Sequence, residues 1–170
     1  PVNPQALLQQ SGRVMESLNS FHFRLEHESG TTILTPSLAI DKAEGDVVSP
    51  DKIFTKFSGT VGGFPLKASL ITLGDSSYMT NFLSGKWETV PPDVSPLGFF
   101  DPRRGITAIM SQVDQLSLLP DGKGVYRLRG TLPAGALAPL VGDTVTGAAV
   151  TVELTVQRED LYLLKAVIDG

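Results

Sequence analysis

From Val150 to Gln157 the chain alternates without a break: Val150, Val152, Leu154 and Val156 are apolar, and Thr151, Glu153, Thr155 and Gln157 between them are polar. Successive side chains on an extended backbone point to opposite faces, so this stretch reads as a strand with one face on a core and the other in water. The same period recurs along the chain. Phe21, Phe23 and Leu25 alternate with His22, Arg24 and Glu26, and Leu66, Ala68 and Leu70 with Lys67 and Ser69. Tyr126 and Leu128 alternate with Arg127 and Arg129, and Tyr162, Leu164, Ala166 and Ile168 mark a last strand. Strands apolar on one face only are the pattern of an antiparallel sheet.

Turn residues divide the strands. Leu38 and Ile40 run into a predicted turn at Glu44-Gly45-Asp46, Ile53 to Ser58 leads to Gly62-Gly63, Gly74-Asp75 precedes a short strand with Tyr78, and Ser84-Gly85 precedes Trp87. Asp121-Gly122 sits in a predicted hairpin turn. Three segments read as helices. Leu7, Leu8, Val14, Met15 and Leu18 share one face of a helix from Pro4 to about Ser20. Ile106, Ile109, Met110 and Val113 recur at helical spacing from a predicted N-cap at Asp101, followed by Pro102, to Gln115. A weaker third helix spans Ala134 to Val141, interrupted by Gly135 and Pro139.

The order is helix, about six strands, helix, hairpin, short helix and two strands, with no repeat or linker. The 170 residues suit one domain with a sizeable core. An antiparallel sheet apolar on one face covers it by closing into a barrel or by wrapping on helices. A curved sheet of about ten strands with two or three helices has room for more than its own side chains, so an enclosed apolar cavity is expected.

Polar chemistry is sparse. The net charge of −4, from 14 basic and 18 acidic residues without a basic run, argues against a nucleic-acid partner. The absence of cysteine removes thiol catalysis, disulfides and thiolate metal sites. His22 and His27 are five residues apart on one predicted strand and point to opposite faces, which argues against a shared metal. There is no G-x-S-x-G elbow, and Gly59 to Phe64, although glycine-rich, lacks a P-loop ending. Glu44 and Asp46, like Glu159 and Asp160, read as solvated turn carboxylates. No apolar run approaches bilayer length. The chain opens at Pro1 rather than Met, and a leader removed upstream is expected.

The segment "GKWETVPPDVSPLGFFDPRRGI", Gly85 to Ile106, sets two adjacent phenylalanines between a proline-rich loop and the predicted second helix. Phe100, just before Asp101, fits a hydrophobic staple on that helix. Neighbouring residues on an extended chain point apart, so Phe99 is left for a lid or membrane contact, and the loop is expected to gate a cavity. Arg103 and Arg104 occupy a first helical turn where the macrodipole disfavours positive charge. An anionic headgroup would relieve that conflict; simple exposure is the alternative.

Several stretches together resemble one family: the "LL" helix leading into "SFHFRLE" (Ser20 to Glu26), "AEGDVVSPDK" (Ala43 to Lys52), the "YM" at Tyr78, "GKWETV" from Gly85, the "DPRRGI" helix start and the closing alternating strands. In this layout the chain resembles the LppX/LprAFG family of bacterial cell-envelope lipoproteins, related in fold to the carriers LolA and LolB. The resemblance implies an α+β fold, with a curved antiparallel half-barrel of about ten strands on two or three amphipathic helices enclosing an apolar cavity. It implies a non-enzymatic, monomeric carrier of acylated lipid or glycolipid between envelope membranes, with no cofactor. The protein would be extracytoplasmic and held to the membrane surface by an N-terminal lipid anchor outside this chain. Family members usually continue with further strands where this chain ends at Gly170.

The side chains expected to contact lipid are Phe23, Leu25, Phe57, Leu66, Leu70, Tyr78, Trp87, Phe99, Phe100, Ile106, Ile109, Met110, Val113, Val152 and Leu154. The competing reading is a filled-core structural or interaction module of the envelope without a lipid ligand, which the alternating strands fit equally well.

Overall fold

A computed structural model describes residues 2–91, 105–120, 122–138 and 147–170. The sequence-predicted features at Phe99, Phe100, Asp101, Pro102, Arg103, Arg104, Asp121 and Pro139 to Val141 lie outside the described residues. The described chain runs α1 (Pro4–Glu16), β1 (Ser20–Glu26), β2 (Thr32–Thr35), β3 (Leu38–Val48), β4 (Lys52–Val61), β5 (Phe64–Leu73), β6 (Ser76–Thr80), β7 (Trp87–Val90), α2 (Ile106–Met110), β8 (Asp114–Leu118) and β9 (Val125–Pro133). A 3₁₀ turn (Ala134–Leu137), β10 (Ala149–Gln157) and β11 (Leu163–Asp169) complete it.

The strands form two antiparallel sheets rather than one of about ten strands. A seven-stranded sheet has the order β1-β3-β4-β5-β6-β7 with β2 also paired to β3, and a four-stranded sheet has the order β11-β10-β9-β8. Neither sheet closes into a barrel among the described residues. By contacts the chain divides into two compact units: one holds residues 1–18, 102–138 and 144–170, the other residues 19–101 and 139–143.

In the first unit, α1 starts where the sequence places it. Asn3 Oδ1 accepts a hydrogen bond from the Ala6 N–H at 3.0 Å, and Pro4 opens the first turn. Leu7, Leu8, Ser11, Gly12 and Met15 are buried on one face. The helix stops at Glu16 instead of about Ser20, because Ser20 is already paired with Val48 in β1. The bare Gly12 backbone lets α2 approach, and Thr107 Oγ1 donates to the Gly12 carbonyl at 3.3 Å.

The second predicted helix is far shorter than Asp101 to Gln115. Among the described residues it covers Ile106 to Met110, and Asp114 already pairs with Thr131 in β9. Val113 remains buried because it sits over Gly130, where a Cβ would come within 2.6 Å of Val113 Cγ1. Of the third predicted helix, Ala134 to Val141, the described residues show a 3₁₀ turn at Ala134–Leu137 followed by a helical Ala138.

The second unit contains the larger correction. Glu44-Gly45-Asp46 is no turn; it is the middle of the eleven-residue strand β3, paired on both sides, with Phe23 opposite Gly45 in β1 and Thr55 opposite Gly45 in β4. Glycine is required here for a different reason: a Cβ on Gly45 would overlap the Phe54 carbonyl oxygen of the neighbouring strand. A register shift between Ile40 and Lys42 changes the parity of β3, so Leu38 and Ile40 before it and Ala43 and Val47 after it all reach the buried side. The Gly62-Gly63 hairpin and the Gly74-Asp75 turn form where the sequence predicts them.

Candidate functional site

One face of the seven-stranded sheet is apolar and continuous. Phe23, Phe57, Leu66 and Leu70 are buried in a single cluster with Leu38, Ile40, Ala43, Val47, Ile53 and Ala68. Phe21, Leu25, Val61, Met79 and Val90 pack against it while only half-buried. The sheet thus brings together five of the expected lipid-contact residues: Phe23, Leu25, Phe57, Leu66 and Leu70.

Tyr78 and Trp87 lie elsewhere. Met79 pairs with Leu70 and therefore shares its face, so the adjacent Tyr78 points the other way. Trp87 pairs with Thr80, two residues on from Tyr78, on that same outer face. The residues that the sequence pattern undervalued are Met79, Phe21, Val61 and Val90. Met79 was legible only through the register, because "SSYMT" does not reveal which of its two large residues opposes Leu70.

Apart from Phe99 and Phe100, which lie outside the described residues, the remaining expected residues belong to the other unit. Val152 and Leu154 are buried on β10, where Leu154 opposes the buried Leu128. Met110 and Val113 are buried, and Ile106 and Ile109 are half-buried. Five nominated residues thus share the cluster of the seven-stranded sheet, while those of the other unit are spread over α2, the residues that follow it and β10.

Polar atoms on the apolar face of the seven-stranded sheet are few. Thr72 Oγ1 and Ser77 Oγ lie 2.9 Å apart and share a hydrogen bond. Thr55 Oγ1, opposite Leu70, is buried without a hydrogen-bond partner.

Apart from Glu88, which pairs with Met79 at the edge of the apolar face, the paired ionised groups lie on the outer faces. Glu44 and Asp46, expected as solvated turn carboxylates, flank His22: Nε2 lies 2.9 Å from Glu44 Oε1 and Nδ1 lies 2.9 Å from Asp46 Oδ1. Both ring nitrogens can donate to carboxylates only in the imidazolium form, and the bonds to Asp46 and then Glu44 raise the His22 pKa above 6.5. The Glu44 pKa is lowered, first by His22 and then by Arg24, whose Nη2 is 3.4 Å from Glu44 Oε1. In the four-stranded sheet Glu153 accepts from Arg129 and from Arg127 Nη2, the latter at 3.3 Å, and these partners lower its pKa. His27 stands apart from this cluster, with Nε2 2.9 Å from Thr32 Oγ1. Among the described residues no group of three or more His, Asp or Glu is arranged to hold a metal, and no helix is long and apolar enough to cross a membrane.

The family model for the LppX_LprAFG lipoproteins matches residues 3–170. The chain belongs to the LppX_LprAFG lipoprotein family. Its fold is similar to that of LprF from Mycobacterium bovis, with a TM-score of 0.77 at 19% identity over 98% of this chain and 86% of LprF. It is also similar to the lipoprotein LppX of Mycobacterium tuberculosis, with a TM-score of 0.61 at 20% identity over 96% of this chain and 86% of LppX. No curated protein sequence matches. As an LppX_LprAFG lipoprotein the chain is α+β, built mostly of antiparallel sheet with two α-helices among the described residues, and that architecture is what it shares with LprF.

Proposed function

We propose that the chain, residues 1–170, is a lipid-binding domain that takes an acylated lipid or glycolipid into an apolar cavity and carries it between envelope membranes. The observation that carries this reading is the continuous apolar face of the seven-stranded sheet, edged by half-buried Phe21, Leu25, Val61, Met79 and Val90, in a member of a lipoprotein family. Half-buried apolar side chains beside a core are surface that an acyl chain can complete. Each methylene transferred from water contributes about 0.8 kcal/mol, so a chain of about 16 carbons supplies on the order of 12 kcal/mol before the costs of association. Such affinity needs no catalytic group. The carrier acts as an extracytoplasmic monomer without a cofactor, kept at the membrane by a lipid anchor N-terminal to Pro1.

Native mass spectrometry with organic extraction, on protein purified from its own host, tests this. A stoichiometric acylated lipid is expected; a chain free of lipid would favour the filled-core module instead. The informative variant is at the edge of the cluster rather than at its centre. Leu70 is only 1% exposed, so Leu70→Trp would overpack the core and report on folding. Leu25→Ser removes half-buried apolar surface, and we expect lipid occupancy to fall severalfold with a loss of stability of about 1 kcal/mol. Unchanged occupancy would take Leu25 out of the binding surface.

A further inference from the structure

The seven-stranded sheet has two chemically different ends. Because its neighbours are antiparallel, the turns at Pro36-Ser37, Gly62-Gly63 and Asn81–Lys86 open at one end, and those at Ser49–Asp51 and Gly74-Asp75 at the other. The second end carries Asp51 and Asp75. The three turns of the first hold no carboxylate and a single charge, Lys86, in a chain of net charge −4; the β1–β2 connection at the other edge of the sheet adds the exposed Glu28.

Large apolar side chains are exposed on this side: Phe64, 74% exposed, at the Gly62-Gly63 turn, and Phe82 52%, Leu83 84% and Trp87 49% on the β6–β7 loop, which lies nearer the middle of β5 because Thr80 is level with Ser69. Phe82 and Leu83 are held out by the loop itself. Asn81 Oδ1 accepts from the Leu83 and Ser84 N–H groups at 2.9 and 3.1 Å, and the Gly85 N–H donates to the Asn81 carbonyl at 2.7 Å. The Asn81 N–H donates to the Lys86 carbonyl at 2.8 Å, and Gly85 takes the left-handed φ of 68° that closes the turn. Asn81 Nδ2 also engages Glu88, the nearest carboxylate along the chain, at 3.1 Å. The loop is closed by its own hydrogen bonds and presents its apolar side chains to solvent.

We propose that this end of the sheet docks on a lipid bilayer surface that carries anionic headgroups. Trp and Phe beside Lys, on a loop closed by its own hydrogen bonds, is the chemistry of the membrane interface. Phe82 and Leu83 enter the acyl boundary, Trp87 lies at headgroup level, and Lys86 meets anionic phosphate. The Asn81–Lys86 loop, which carries a cation and no carboxylate, is complementary to such a surface. The membrane's relevance rests on the carrier reading, but the contact itself needs no bound lipid.

Flotation of the 170-residue chain with vesicles of phosphatidylcholine and phosphatidylglycerol tests the contact, with Trp87, the single tryptophan, as reporter. The chain is expected to float with the vesicles and the Trp87 emission to shift to the blue. Phe82→Ser with Leu83→Ser is expected to lower partitioning at least about tenfold, and Lys86→Glu or added salt to lower it severalfold. A chain that stays in the aqueous phase with unmoved Trp87 emission, a double variant that floats as well as the unaltered chain, or capture by a protein without vesicle binding would each overturn the proposal. Native mass spectrometry on the same samples separates the two readings. Lipid occupancy retained with flotation lost in the double variant supports the docking end, whereas flotation without any bound lipid overturns the carrier and leaves the docking end standing.

Discussion

His22 binds two carboxylates at once, and its worth to the fold therefore depends on pH in a definite direction. Its pKa is raised in the folded state, so the stabilisation is complete below its ordinary value of 6.5 and is lost as pH rises through the raised value. Glu44 works oppositely: its pKa is lowered, so its contribution is complete above its ordinary value of 4.5 and is lost as pH falls through the depressed one. The cluster is fully formed between those ordinary values. His22→Ala should therefore lower the denaturation midpoint more at pH 5.5 than at pH 8.5, and equal losses at both would show that the imidazolium form contributes nothing. Thr55 offers a second test at this scale. Its buried Oγ1 lacks a partner, so Thr55→Val removes an unsatisfied hydroxyl and should raise stability by about 1 kcal/mol in urea unfolding. A loss would mean that the hydroxyl is satisfied in solution.

At the scale of elements, the start of α1 and most strand faces were legible; its end, the extent of the second helix, the exposure of β11 and one strand interior were not. Asn3-Pro4 marks α1 because capping is local chemistry. Its end is decided by Val48, which claims Ser20 across the sheet from 28 residues away, and by β9, which takes Asp114 into β8 before the second predicted helix can finish. Gly45 misleads for a related reason: in sequence it resembles a turn residue, while in the sheet it marks a close backbone approach. Gly45→Ala should consequently cost about 1–3 kcal/mol by chemical denaturation, whereas a turn glycine with room around it would be replaced for less. The same change leaves Glu44 and Asp46 in place, so the pH dependence set by His22 should persist in the variant.

For the whole molecule, the bound and empty forms should differ in stability if lipid binds only the folded chain. At a free ligand concentration a hundred times Kd the gain is about 2.7 kcal/mol, which for a chain of this size is roughly 5–10 °C in Tm. Calorimetry before and after delipidation checks this, and a Tm independent of added acylated lipid would count against a ligand. The sequence by itself determined which residues share a face: the alternation at Phe21 to Leu25, Leu66 to Leu70 and Val150 to Val156 is a property of each strand's own backbone and needs no partner. Only the tertiary structure decided how those faces are combined. It divided the strands between two sheets, carried β3 straight through Glu44-Gly45-Asp46, and turned Tyr78 and Trp87 to the outer face while bringing Met79 over Leu70. Those outcomes depend on register, which is set by hydrogen bonds between residues far apart in the chain, and a shift of a single residue exchanges the two faces of a strand.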